Sequence, residues 1–547
     1  MGVIMSRNEN SFLDSKTITA IVLVGLVWFG WQNYLSNKYP KMHEPTPVSV
    51  PSSTDNPGAV NSTNRTNAAG TKATQATSAA IDTAKYEEKM ETVSSPEASF
   101  EISSVGMGIK NLRLAKYTKR DKSAIEFAPG LNEGIFEMRL LEGNKALPFH
   151  ITKKSDTSFE GRAQVGDMTI VRTIDYSPET YSFKNTISVL NAPTNFKGIV
   201  ISVPEKREQY KSGGFLIPSY DHQEFLVAHS GNKTDTTNVS SAKDGVDKVV
   251  NNVSVVSVAS QYFASAVADK SEIAPEVRLV SRTNENLFQA ELDYKVASVK
   301  DKIDFNFVAY SGPKSHETLE KADPELGAII DLGIFAVIGR VLLSILKWFN
   351  VYVGNWGFSI ILLTLLVRAI VLPFNIASYK SMKKMQRIQP LMQALRQRYK
   401  DEPQTLQRET MALMKQEKAN PIGGCLPMLL QMPIFFALFR VLGQSIDLYQ
   451  APFVLWITDL SLKDPFYVLP VLMGVTLFIQ QKITPSTMDP KQAKIMQFMP
   501  IIFSFMMISL PSGLTLYTFV STLFGILQQR FFMRDRTAMV RVKEAKI

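Results

Sequence analysis

The apolar residues of this 547-residue chain are gathered into long runs at its start and after about residue 325, which excludes a single soluble domain. Thr17 to Leu35 (TITAIVLVGLVWFGWQNYL) would span about 28 Å as a helix, enough to cross a bilayer. The segment behind it, SNKYPKMHEP, has no small-x-small cleavage pattern, so the run reads as a retained anchor and not as a signal peptide. Trp28, Trp31 and Tyr34 suit an interfacial belt at its far end. Five further spans are expected at Asn355 to Phe374, Ile422 to Leu442, Pro465 to Ile483, Ile495 to Leu510 and Pro511 to Arg530, which makes six with the anchor. Between Ile334 and Asn350 the apolar run is broken by Arg340 and Lys347. These lie seven apart on nearly one face, so 326–353 is expected to be an interfacial amphipathic helix.

A formal net charge of +10 could indicate nucleic acid, but its distribution argues for membrane topology instead. Between Ile376 and Asn420 ten Lys/Arg face four Asp/Glu, and the tail from Arg530 holds six against two. The loop from Gly443 to Pro465 has one Lys against three Asp. This alternation puts the basic loop and tail on the cytoplasmic side with the N-terminus, and excludes a sequence-specific nucleic-acid partner as the reason for the charge.

The expected order along the chain is a cytoplasmic N-terminus and anchor at 1–36, a flexible tether at 37–97 and a β domain at 98–325. The interfacial helix (326–353) and second span (354–375) come next, then a cytoplasmic helical hairpin at 376–420, spans three to six at 421–530 and a basic tail at 531–547. The tether is expected because Val50 to Ala80 holds no aromatic residue and is dominated by small and polar types. The β domain follows from short period-2 runs, such as MTIVRTIDYSPETYSFKNTISVL, which turns at Ser177–Thr180. In the basic loop Met382, Met385, Ile388, Met392, Leu395 and Tyr399 form one apolar stripe, and Pro390 is expected to kink that helix. Asp401-Glu402-Pro403 ends it before a second helix. One cysteine, Cys425, and five scattered histidines build no metal site, and nothing calls for a cofactor.

Arg368 stands alone in GNWGFSIILLTLLVRAIVLPF. An arginine at a helix centre costs about 2.5–3.5 kcal/mol on the insertion scale, so it either snorkels to the nearby span end or faces a wet interior. Other spans carry polar residues too: Thr364 one turn before it, Gln431, the pair Thr476/Gln480, and the pairs Tyr517/Ser521 and Thr518/Thr522. Each is ordinary interhelical glue by itself. Together, with no intramembrane Asp or Glu, they describe a polar cavity of net positive charge that would attract carboxylates.

KMQRIQPLMQALRQRYKDE, NPIGGCLPMLLQMPIFFALFRVL, QAPFVLWITDLSLKDPFYVLPVLMGVT, KIMQFMPIIFSF and PSGLTLYTFVS, with the segment around Arg368, closely resemble the YidC/Oxa family of bacterial membrane insertases. The resemblance is dense from about Leu332 to Gln529 and continues more weakly through the β domain. It implies a polytopic helical protein of the inner membrane. Five core helices would enclose a hydrophilic groove open to the cytoplasm and to lipid, and a periplasmic all-β supersandwich would be attached. Arg368 would be the groove arginine, with Thr364 and Gln431 as polar groove positions. Tyr517 and Thr518 would stand where the family often has two tyrosines, so a contact role for Thr518 departs from the pattern. Phe435, Met473, Ile502 and Met506 would form the apolar slide for a nascent segment. The hairpin, with Lys383, Lys384 and Arg387, and the basic tail would engage substrate and ribosome. The implied partners are nascent membrane proteins, the Sec translocon, the ribosome and membrane lipids. No bond is made or broken, so neither a catalytic residue nor a cofactor is expected. The competing class, a solute transporter with a β-domain receptor, would need internal repeats and paired broken helices, and the spans show neither.

Overall fold

A computed structural model describes residues 87–208, 222–229, 233–239, 245–330, 332, 335–417, 419, 426–484 and 490–533. The N-terminal anchor, the tether up to residue 86, Cys425 and the tail from residue 534 lie outside the described residues.

Among the described residues the β domain contains three antiparallel sheets. The largest has nine strands, in the spatial order Lys233–Asn238, Gln223–His229, Val253–Ser260, Phe263–Asp269, Lys302–Pro313, Ser182–Leu190, Met168–Ser177, Ser158–Val165 and His150–Lys153. A five-stranded sheet runs Val246–Val250, Glu276–Arg282, Leu287–Lys295, Gly198–Lys206, Glu137–Leu140. The third sheet takes Met90–Ser94, Ala98–Ser103, Ile109–Thr118 and Ala124–Glu126 in order. Alternation explains the strands: in Met168–Ser177 every second residue is buried, and the strand turns through Pro178–Thr180 into Ser182–Leu190. The two large sheets pack face to face, with Phe225 against Phe288 at 4.6 Å and Tyr294 against Phe305 at 5.3 Å between ring centres. Phe100 of the small sheet closes on Tyr176 and Phe183. The first strand begins at Met90, inside the stretch expected to be tether; it is an edge strand with only Val93 buried, too short and polar to show a period.

Among the described residues eight α-helices follow: α1 His316–Ala322, α2 Ala336–Val353, α3 Trp356–Arg398, α4 Pro403–Gln416, α5 Leu426–Gln444, α6 Val468–Ile483, α7 Pro490–Met507 and α8 Ser512–Met533. The second span and the first hairpin helix, expected as separate pieces divided at 375/376, are one continuous helix. Its 43 residues give about 64 Å, roughly twice a hydrocarbon core. Neither Pro373 nor Pro390 ends it. Asn355 starts it, its side chain accepting from the Gly357 and Phe358 amides. Beyond Asn375 the helix is amphipathic, and Met385, Ile388 and Met392 pack with Leu413 and Met414 of α4.

Two helices, α2 and α3, are long and apolar enough to cross a membrane, and Leu429–Gln444, Val468–Ile483 and Phe498–Met507 are shorter apolar stretches. These described helices do not establish the expected count of six. In α2 one face is buried through Gly339, Leu342 and Leu346, while Val337, Val341, Trp348, Val351 and Tyr352 are exposed. Its outward side is therefore largely apolar, and Arg340, on which the expectation of an interfacial amphipathic helix partly rests, is exposed as well. Lys347, one of the two charges behind that expectation, pairs with Asp447 at 3.1 Å.

The β domain touches the helices at one end. Gln261 Nε2 donates to the Gly443 carbonyl (2.7 Å), and the Tyr449 hydroxyl and Gln450 Nε2 donate to the Thr118 carbonyl (2.9 and 2.8 Å). The chain leaves the last strand through Lys314, which is buried and whose ammonium meets Glu224 at 3.3 Å. Burial would push the Glu224 carboxyl up, but the Lys314 ammonium and the His222 ring at 3.5 Å outweigh it and hold it at about 2. A carboxyl lowered from 4.5 to about 2 contributes stability that is complete above pH 4.5 and is lost as pH falls toward 2. Glu224→Gln, which strands the Lys314 charge, is expected to destabilise the β domain by about 3–5 kcal/mol at pH 7. Thermal unfolding of the variant should also lose the wild-type decline below pH 4.5.

Candidate functional site

Helix α8 is the buried centre of the bundle, and unusually for a central helix it is polar along one side. Tyr517, Thr518, Ser521, Thr522, Gln528 and Gln529 are all buried. Such groups need partners inside the bundle, because an unpaired buried donor or acceptor costs about 1–3 kcal/mol. Gln431 of α5 donates from Nε2 to the Tyr517 hydroxyl (2.5 Å). One turn on, Arg368 of α3 donates from Nε to Ser521 Oγ (2.9 Å). A further turn on is Gly525, where a Cβ would lie 3.3 Å from Arg368 Nη1 and 3.4 Å from Gln480 Nε2 of α6. Asn375 then donates from Nδ2 to Gln528 Oε1 (3.3 Å), and Gln529 Nε2 to Thr484 Oγ1 (3.1 Å). The seam thus follows residues 517, 521, 525 and 528 down one face of α8.

The pairs fix helix direction. Ile360/Gly513, Arg368/Ser521, Asn375/Gln528 and Tyr379/Phe532 share one sequence separation, 153 residues, so α3 and α8 run parallel. Gln480/Gly525 and Thr484/Gln529 share a separation of 45, so α6 is parallel to α8 as well. The starts of all three helices therefore lie at the end that meets the β domain, and the hairpin and the end of α8 lie at the other.

Of the residues expected in the groove, Arg368, Gln431 and Tyr517 meet on this seam. Thr364 and Thr518 are both buried, and their hydroxyls donate to the carbonyls of Ile360 (2.6 Å) and Leu514 (2.9 Å) one turn back. Among the slide residues, Phe435 and Met506 are partly buried and Ile502 is half exposed, whereas Met473 is wholly enclosed in the core. Phe435 reaches Phe503 across α5 and α7, with ring centres 6.5 Å apart. Lys384 and Arg387 are exposed and Lys383 partly so, all off the buried stripe of Met382, Met385 and Ile388. Three seam residues, Gly525, Asn375 and Gln528, were not foreseen. The recurrence of small and polar residues every third or fourth position of α8 is the signal that carries Gly525 and Gln528, while Asn375 lies on α3, seven residues after Arg368 and so on its face.

Arg368 has no carboxylate partner among the described residues, and its one hydrogen bond there uses Nε. Both Nη groups are left to meet water or an anion. No group of His, Cys, Asp and Glu able to hold a metal occurs among the described residues.

The family profile described as "60Kd inner membrane protein" matches residues 348–539, and that described as "YidC periplasmic domain" matches 91–345. A membrane protein insertase YidC of Geotalea daltonii is 36% identical over 391 residues, which is 71% of this chain and 72% of that one. The chain belongs to the YidC family. Its counterpart from Geobacter sulfurreducens is 43% identical over about half of each chain (51% and 52%), and that of Pseudomonas fluorescens 46% identical over 45% of this chain and 44% of its own. The family is one of inner-membrane proteins with a periplasmic domain and is not a family of catalytic enzymes.

At Gly525 even a Cβ would crowd Arg368 Nη1, at 3.3 Å. Gly525→Leu is expected to displace the Arg368 side chain and to lower stability by about 1–3 kcal/mol through overpacking. Melting in detergent would register that loss, while Thr364→Val, which removes only a hydroxyl bonded within its own helix, should melt within about 1 kcal/mol of wild type.

Proposed function

We propose that the chain is a membrane protein insertase in which the α8 seam is the substrate groove and Arg368 its anion-attracting centre. The observation that carries this is the state of the guanidinium: fixed through Nε to Ser521, given room by Gly525, and without a carboxylate to neutralise it among the described residues. A charge held this way in a low-dielectric bundle has its strongest interaction still to make. An acidic tail of a nascent membrane protein supplies that partner. The hydrogen-bonding side chains of the seam stand in for water along the way, and the apolar segment behind the tail then moves into lipid. Partitioning drives the step, assisted by the membrane potential, worth about 2.3 kcal/mol per charge per 100 mV.

In this reading Phe435, Ile502 and Met506 form the surface on which the apolar segment leaves, and Met473 supports it from within the core. Thr364 and Thr518 shape the packing behind the seam instead of touching substrate. The hairpin and the end of α8 face the cytoplasm, because they lie opposite the periplasmic domain. There Lys383, Lys384, Arg387 and the basic tail meet the ribosome, and the chain acts alone or with the Sec translocon. The N-terminus is cytoplasmic as well, and the exposed apolar face of α2 contacts lipid.

Arg368→Lys is expected to keep most insertion activity, since it keeps the sign of the field. Arg368→Glu is expected to reduce insertion in proportion to the number of Asp residues, zero, one or two, in the tail of a single-span substrate scored by protease protection. If the Glu and Gln variants behave alike for all three tails, the electrostatic role is wrong. A second expectation concerns the hairpin: Lys383, Lys384 and Arg387 changed together to Glu should slow delivery and leave the melting temperature unchanged, because none of them lies on the buried stripe.

A further inference from the structure

The loop between α5 and α6 keeps its polar groups inside and turns apolar side chains out. Asp459 Oδ1 accepts from the Gln450 amide (3.1 Å) and the Ser461 amide (2.8 Å). Asp464 Oδ1 accepts from Trp456 Nε1 and the Phe466 amide, both at 3.0 Å, and its Oδ2 from the Leu469 amide at 2.7 Å. Both carboxylates are buried. The Trp456–Asp464 bond ties two projecting tips together, Val454–Leu455 and Phe466–Tyr467. Leu455 is 84% exposed and Phe466 68%.

Leu455 also has φ +54°, the left-handed region, where a leucine costs about 1–2 kcal/mol that glycine would not. A turn tip in water gains nothing from that strain or from hydrating an isobutyl group. The same tip in lipid recovers about 1.5–3 kcal/mol for the buried side chain. The tips are also placed for it. Phe453 packs on Phe358 (5.3 Å between ring centres) and accepts from Asn355 Nδ2 (3.1 Å) at the start of α3. Phe466 leads directly into α6, whose exposed side carries Val471, Leu472 and Val475. The apolar outer face of the bundle thus continues past the helix ends onto the loop.

We propose that Val454, Leu455 and Phe466 form a lipid anchor that enters the headgroup–acyl boundary of the leaflet on the β-domain side. The proposal rests on the membrane location of the bundle and is independent of the groove reading. Because Tyr449 and Gln450 of the same loop bond to the β domain, the anchor would also set the height of that domain above the bilayer. The test uses the full chain with Cys425→Ser and a single environment-sensitive label at Leu455→Cys, reconstituted in phosphatidylethanolamine/phosphatidylglycerol vesicles. Phe466→Cys, at ordinary backbone geometry, serves as a second reporter, and Lys248→Cys on an exposed edge strand as the aqueous reference. Both loop labels should be quenched by nitroxide near the top of the acyl chains at least about threefold more than the Lys248 label, and be shielded from iodide. Quenching by iodide equal to the reference at both sites would overturn the anchor. So would shielding from iodide without nitroxide quenching, which would mean that protein, a second copy included, covers the tips.

Discussion

The packing of α3 along α8 fixes the rest of the bundle. Four pairs at one constant separation, from Ile360/Gly513 to Tyr379/Phe532, leave the two helices no freedom of register. One of those pairs is the only hydrogen bond that Arg368 makes among the described residues, so the position of the charge and the packing of the core are a single constraint. With α6 also parallel to α8, the central helix has two neighbours running its own way. Short turns join antiparallel helices, so this arrangement needs α5 and α7 to return the chain between them.

Three parallel helices place three amino-terminal ends together, and each end carries partial positive charge and unpaired N–H groups. The α5–α6 loop answers both. Asp464 accepts from the first turn of α6, Asn355 caps α3 and bonds to the loop at Phe453, and the Ser512 and Gly513 amides at the start of α8 donate to the carbonyls of Leu462 and Leu460. The acidic balance of that loop, which reads as a topology signal in the sequence, therefore also has a local structural use. The β domain docks on the same loop through Tyr449 and Gln450, so it is joined to the helices by side-chain contacts as well as by the chain through Lys314.

Much of this was legible because it depends on local period. The strands on either side of Ser177–Thr180 alternate, and the stripe from Met382 to Met392 recurs every three or four residues; both fold as that pattern requires. The strand Met90–Ser94 was not legible, since an edge strand with one buried residue shows no alternation. Helix rotation was not either. Thr364 lies one turn from Arg368 and so shares its side of α3, but whether a threonine hydroxyl turns to a cavity or to its own backbone is a choice of χ1 that spacing does not contain. Likewise Met473 and Ile502 are equally apolar on paper, and only the neighbours around α6 and α7 bury one and expose the other. The continuity of α3 was hidden by Pro373, whose usual effect on an isolated helix is overridden here by packing on both sides of it.

The dipole of α3 itself offers Arg368 little: such effects fade within the last turn, and Arg368 lies about 18 Å from the start of α3 and farther still from its end. The nearer negative pole is the last turn of α6, where Gln480 shares the space at Gly525. Basic residues of the last turns, Arg396, Arg398 and Arg530, use the fields of α3 and α8 at the hairpin end. Among the described residues Arg368 otherwise has one neutral hydroxyl, the space beside a glycine and the nearby amide of Gln480. A neutral acceptor compensates a buried guanidinium only in part, because a charged partner makes bonds roughly twice as strong. Among the described residues the seam therefore holds its cation with an unfilled demand for a charged acceptor.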